Sequence, residues 1–282
     1  MSDPNPKSER IQGPLSEEAS GLAPGRARLT GRKILVVGAG TQPSPEADAP
    51  IGNGRAIALL AAREGAAVAC ADRDERAAQE TLAQIEKEGG RGALVVGDVA
   101  DAASCDRIVV EAEQALGGLD GAVLNVGIAA GARLAGTDAA AWDRTFAVNL
   151  RAHFLISRAV LPRLAPGASL VFISSVAALG PGSQLPSYDA SKAGLAGLMR
   201  HVAYEGARRG VRANVILPGL IDTPLGRSAT RGRPSRARTP VPLGRQGTGW
   251  EVAFAALFLL SGESSYVTGQ SLIVDGGLSG LT

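Results

Sequence analysis

KILVVGAG, residues 33–40, and NGRAIALLAAREG, residues 53–65, decide how this chain is read. The first is an aliphatic run that stops on Gly38 and Gly40; the second carries apolar residues at helical spacing and begins at another glycine cluster, Gly52, Asn53 and Gly54. A strand that passes through glycines into a helix is the opening unit of an α/β fold. At such a junction glycines let the backbone approach a phosphate, whose charge then faces free amides and the helix dipole. On these residues alone, an ordinary tight turn fits Gly38, Gly40, Gly52 and Gly54 equally well.

Working outward, the alternation persists. Strands are expected near 33–38, 67–71, 93–97, 120–125, 169–175, 211–217 and 271–275, and helices near 53–65, 74–88, 101–116, 140–164, 187–209 and 249–261. This order predicts one α/β domain over 29–282, a doubly wound parallel sheet. Residues 1–28 are rich in Pro, Ser, Glu and Gly and are expected to form a flexible extension. They lack the basic head and apolar run of a secretory signal. The rhythm breaks between Arg227 and Arg245, which carries glycines, prolines and six arginines without an apolar period; residues 224–248 are expected to be a lid loop.

Composition narrows the partners. Twenty-nine basic and 27 acidic side chains leave a net charge of +2. There is no long basic tract for nucleic acid and no apolar run of the roughly 18 residues that would span a bilayer. A small-molecule partner and a cytoplasmic location are expected, with neither nucleic acid nor membrane involved. Cys70 and Cys105 lack paired or metal-ligand spacing and are read as buried thiols, and His153 and His201 have no ligand-spaced partner, so no metal site is expected.

Two further positions carry chemistry. Asp72 follows the apolar strand AAVACA at the spacing where an acid can accept hydrogen bonds from an adenosine ribose diol, and it would repel a 2′-phosphate. NAD is therefore favoured, with NADP kept open by Arg73 beside it; a helix cap is the competing reading of Asp72. Tyr188 and Lys192 stand four apart, on one face of an expected helix. A phenol with a pKa of roughly 10 is a poor base near neutrality, and a neighbouring cation lowers it. Ser175, at the end of the strand SLVFISS, could donate to a substrate oxygen. YxxxK by itself also fits an exposed helix pair.

In its order of motifs the chain resembles the short-chain dehydrogenase/reductase family from about Leu29 to Gly277. The matching residues are Gly38, Gly52, Gly54, Asp72, Asp98-Val99, Leu124-Asn125-Val126-Gly127, Asn149, Ser175, Tyr188, Lys192, Pro218-Gly219, Thr223 and Val274-Asp275-Gly276-Gly277. The resemblance implies a Rossmann-type sheet of about seven parallel strands and hydride transfer between NAD(H) and a secondary alcohol or ketone. It implies Tyr188 as general acid and base, Ser175 polarising the carbonyl, Lys192 on the nicotinamide ribose, and Asn149 holding a relay water. Asp98 and Val99 would bracket adenine, Asn125 would lie along the ribose, and Ile221 with Thr223 would meet the carboxamide. A homotetramer or dimer, built through the helices after Asp138 and Tyr188, is also implied.

The departures set further expectations. TQPSPEADAP, residues 41–50, is inserted between the glycine clusters, and Glu46 and Asp48 are expected to raise a negative rim against NADP. Asn53, Leu124 and Val126 replace more usual residues. The lid arginines suit an anionic substrate or simply face water. Competing functions are an NADPH-dependent 3-oxoacyl-thioester reductase and a non-catalytic nucleotide sensor.

Overall fold

The structure is a computed structural model of the 282-residue chain, and it describes residues 15–233, 235–236 and 239–281. Its frame is a seven-stranded sheet of β1 (Lys33–Val37), β2 (Ala67–Asp72), β3 (Arg91–Val96), β4 (Leu119–Leu124), β5 (Leu164–Ile173), β6 (Arg212–Pro218) and β9 (Ser271–Val274). Every pairing is parallel and the order is β3-β2-β1-β4-β5-β6-β9. Such a sheet is covered on both faces, which is why its strands read as continuous apolar runs. Ile34 and Val36 of β1 pack with α2 (Asn53–Arg63) and α9 (Gly249–Leu260). Leu35 and Val37 face α4 (Ala102–Leu116), α6 (Ala152–Val160) and α7 (Pro186–Ala207).

Local chemistry sets the element ends. Asp74 caps α3 (Glu75–Lys87) at Ala77 N, and Asp101 caps α4, which stops at Gly117 in the left-handed region. α9 opens with a reciprocal cap between Thr248 and Glu251. Because β1 has β2 on one side and β4 on the other, the chain's direction of winding reverses between β1 and β4. Ligands of open α/β sheets bind at such a point, and Gly38 and Asn125 follow the two strands there.

Three stretches differ from the sequence expectation. The helix expected over 140–164 is divided into α5 (Ala139–Phe146), a π turn over Ala147–Arg151 and α6, with a 3-10 turn ending at Arg163. The π turn inserts one residue, so that Ala152 N bonds Ala147 O. In the lid, α8 (Pro224–Gly232) forms because Thr223 caps Gly226 N and Pro224 is preorganised for a first turn. Its sparse apolar content hid this helix. Two-residue strands β7 (Ile221–Asp222) and β8 (Gly247–Thr248) pair at the lid's base.

Residues 15–28 lie against the domain where a flexible extension was expected; residues 1–14 fall outside the described residues. α1 (Glu17–Ser20) buries Ala19, its carbonyl accepts from Thr248 Oγ1 at 2.7 Å, and Gly21 O accepts from Arg63 at 2.7 Å. Small residues and backbone groups do the docking, so no apolar run announces it. A Cβ on Gly21 would stand 2.2 Å from the Trp250 ring.

Candidate active site

Strand ends and helix starts enclose a cleft of about 560 Å³. Of the residues expected to form the site, Gly38, Gly40, Gly52, Asn53, Gly54, Asp72, Asp98, Val99, Asn125, Gly127, Tyr188, Lys192 and Thr223 line it. At its floor Gly54 packs so closely that a Cβ would lie 1.7 Å from Gly38 O. Gly38 itself has φ +84°, where side chains are strained. Asn125 Nδ2 donates to Gly38 O at 2.9 Å, locking β4 to the turn. Asp72 accepts from Gly40 N at 2.9 Å and Asp74 N at 3.1 Å, so its carboxylate is held at the cleft edge by backbone. Asp98 accepts from Ala100 N, and Val99 is buried beside it. Pinned glycines, the amide-rich start of α2 and a fixed acid match what a dinucleotide requires: close backbone approach, free donors for phosphate, an acceptor for ribose.

At the other end stand Tyr188 and Lys192, one turn apart on α7. Lys192 is 3% exposed; its ammonium donates to Ile173 O at 3.0 Å and lies 5.8 Å from the Tyr188 ring centre. Burial lowers this lysine to about 8. Gly127 supplies the room, since a Cβ there would be 3.1 Å from the ammonium. Burial pushes the Tyr188 phenol up, while a hydrogen bond from Ser175 and the charge of Arg236 pull it back. Ser175 Oγ accepts from Ala177 N at 3.1 Å, which leaves its hydroxyl hydrogen free to donate.

Asn149 lies in the π turn, fully buried. Its Oδ1 accepts from Ile128 N at 2.8 Å, and Nδ2 donates to Ile128 O at 3.0 Å and Ser191 Oγ at 3.1 Å. Both amide hydrogens are thus engaged by protein, and the side chain fixes α7 against the loop after β4. Pro218 and Gly219 close β6 onto Val274, and Ile221 is buried in the core and pairs with Gly247; none of the three lines the cleft. His153 is buried, held neutral by burial that pulls it down to about 3, and plays no part in the cleft.

A family model described as enoyl-(acyl carrier protein) reductase matches residues 49–279. The 2-(S)-hydroxypropyl-CoM dehydrogenase 3 of Xanthobacter autotrophicus is 35% identical over 90% of this chain and 99% of its own length. A 3-oxoacyl-[acyl-carrier-protein] reductase of Thermotoga maritima is 35% identical over 89% and 99%. A solved structure from Agrobacterium tumefaciens with bound NADP is 35% identical, with a TM-score of 0.78 over 90% of this chain and 98% of the other. The chain belongs to the short-chain dehydrogenase/reductase family.

The Rossmann-type sheet expected of a short-chain dehydrogenase/reductase is present, and a family of this kind uses NAD or NADP. What sequence reasoning missed in this family member are groups that act through backbone. Ser174 Oγ donates to Lys192 O at 2.8 Å, and Ser191 Oγ links Asn149 to Tyr188 O at 2.9 Å. Thr41 Oγ1 accepts from Gly52 N at 3.1 Å and closes the neck of the insertion. Only its place directly after Gly40 signalled Thr41. Glu46 and Asp48 are turned to lid arginines: Arg227 donates to Glu46 at 2.6 Å and to Asp48 at 3.1 Å, and Arg231 to Glu46 at 2.6 Å. Among the described residues no helix is long and apolar enough to cross a membrane.

Proposed function

We propose that this short-chain dehydrogenase/reductase interconverts a secondary alcohol and a ketone, with Tyr188 as the proton-transferring group and NAD as the preferred nucleotide. The observation that carries this reading is the Tyr188 phenol, hydrogen-bonded by Ser175 and faced by the buried Lys192 ammonium at the mouth of a glycine-floored cleft. The nucleotide, when bound, supplies or accepts the hydride. In the reductive direction Tyr188 gives its proton to the carbonyl oxygen and Ser175 donates to that same oxygen. The resulting phenolate faces Lys192, whose charge stabilises it. In the oxidative direction the phenolate removes the hydroxyl proton. Asn149 acts by position: it holds Ser191, and through it the first turn of α7.

Gly38, Gly40, Gly52, Asn53 and Gly54 would hold the pyrophosphate, Asp98, Val99 and Asn125 the adenosine, Lys192 the second ribose, and the 218–223 backbone with Thr223 the carboxamide. The fixed Asp72 carboxylate favours NAD, since a 2′-phosphate there would meet like charge. Steady-state rates with NAD and NADP test this: Asp72→Ser is expected to shift the kcat/KM ratio toward NADP by about ten-fold or more. A wild-type enzyme that already prefers NADP contradicts it. Combined with turnover of a 3-oxoacyl thioester, that outcome would select the reductase reading suggested by the Thermotoga relative. We also infer a homo-oligomer, because Phe154 and Tyr204 stand 47% and 72% exposed on α6 and α7.

A further inference from the structure

We propose that Arg236 reads a negative charge on the substrate, so that the alcohol or ketone handled at Tyr188 carries a carboxylate or comparable anion near its reacting carbon. This rests on the function proposed above and names its substrate class.

The lid arginines are of two kinds. Arg227 is held by Asp222 at 2.7 and 2.9 Å and by Glu46 and Asp48. Arg231 is held by Glu46, and Arg245 grips Glu251 through two bonds of 2.9 and 2.7 Å. These three are committed to protein carboxylates. Arg238 falls outside the described residues. Among the described residues no carboxylate lies in ion-pair range of Arg233 or Arg236. Arg233 donates to Gly182 O at 3.1 Å and favours the charged form of Asp189.

Arg236 is placed differently. Its Nη1 donates to Thr230 Oγ1 at 2.7 Å and to Gly226 O at 3.1 Å, which pins one end of the guanidinium across α8. The start of that helix, Thr223 to Leu225, shares the cleft wall with Tyr188. The second nitrogen lies over Gly226, where a Cβ would be in ordinary contact, 3.6 Å from Arg236 Nη2. Burial and the charge of Arg233 bear against the guanidinium, Tyr188 and Asp222 favour it, and its own charge in turn favours the Tyr188 phenolate. An arginine cannot discharge by losing its proton. Asp222 is committed to Arg227, so a cation that is partly desolvated, fixed in place and without an acid in ion-pair range is matched more fully when an anion enters the cleft.

Matched pairs test the inference: 3-hydroxybutyrate and 4-hydroxypentanoate against their methyl esters, with both nucleotides. The wild type is expected to favour the acids in kcat/KM. Arg236→Gln is expected to lower the rate on the acids by about 10- to 100-fold and that on the esters by less than about three-fold. Arg231→Gln, which loses only the pair with Glu46, should change the rates on acid and ester to the same small extent. Equal use of acid and ester by the wild type, or an Arg236→Gln variant that loses both alike as a loosened α8 would, overturns the inference while leaving the dehydrogenase reading intact. Turnover of neither member with either nucleotide overturns the reading and the inference with it.

Discussion

At the scale of single residues the site turns on a charge kept where water cannot reach it. Lys192 costs stability because the folded chain must desolvate its ammonium, and this is what brings its ordinary value of 10.5 down to about 8. Below pH 8 both folded and unfolded states carry the charge and the cost is complete; as pH rises from 8 toward 10.5 the folded state gives up its proton first and the cost fades. Lys192→Met is therefore expected to be more stable than wild type at pH 7, by on the order of 2 kcal/mol after loss of the bond to Ile173 O. The gap should close by about pH 10, and activity should be largely lost. Chemical denaturation at the two pH values checks this, and a variant less stable at pH 7 contradicts it. The four-residue spacing put Tyr188 and Lys192 on one face of a helix, and it was the order of motifs along the chain, not the pair itself, that set them apart from an exposed helix pair. Ser174 and Ser191 were not, because they act on main-chain carbonyls and leave no pattern of residue types.

At the scale of elements, the insertion and the lid explain each other. Read from sequence, Glu46 and Asp48 suggested a repulsive rim and the arginines a solvated or substrate-facing run. In the fold the acids and Arg227 with Arg231 bind one another, tying residues 41–50 to α8. Sequence separation of about 180 positions between Glu46 and Arg227 hides such a pairing from any local pattern. Each exposed pair contributes less than about 1 kcal/mol, so their loss should loosen the lid without unfolding the domain. Glu46→Ala is expected to speed tryptic cleavage between Arg227 and Arg233 several-fold while the melting temperature moves little. Unchanged cleavage would mean that α8 is held by other contacts. The expected helix over 140–164 was close in extent and missed its π turn and the 3-10 turn over Leu161–Arg163 that leads into β5, since one extra residue in a turn leaves apolar spacing almost unaltered.

At the scale of the molecule, the sheet was readable because its inner strands β1, β2, β4, β5 and β6 are largely buried and carry apolar runs. The N-terminal docking was not, because it works through Ala19, Gly21 and backbone carbonyls. Its anchor is Glu64, whose side chain is wholly buried and accepts from Arg28 at 2.6 Å and from the amides of Arg26 and Arg28. Removal of residues 1–28 takes away all three of these charge-assisted donors to the carboxylate, a loss of about 3–5 kcal/mol. A melting temperature lower by on the order of 10 °C is expected; an unchanged one would show the segment contributes nothing. In the proposed reaction the geometry around Tyr188 moves the proton while the cleft holds the nucleotide independently. The most direct test follows reduced nicotinamide by absorbance, with NADH binding by fluorescence, in wild type and Tyr188→Phe on a panel of secondary alcohols. Near-equal NADH affinity and a rate lower by about 10³-fold or more in the variant are expected; a Tyr188→Phe enzyme that binds NADH and still turns over at the wild-type rate would rule out Tyr188 as the proton-transferring group.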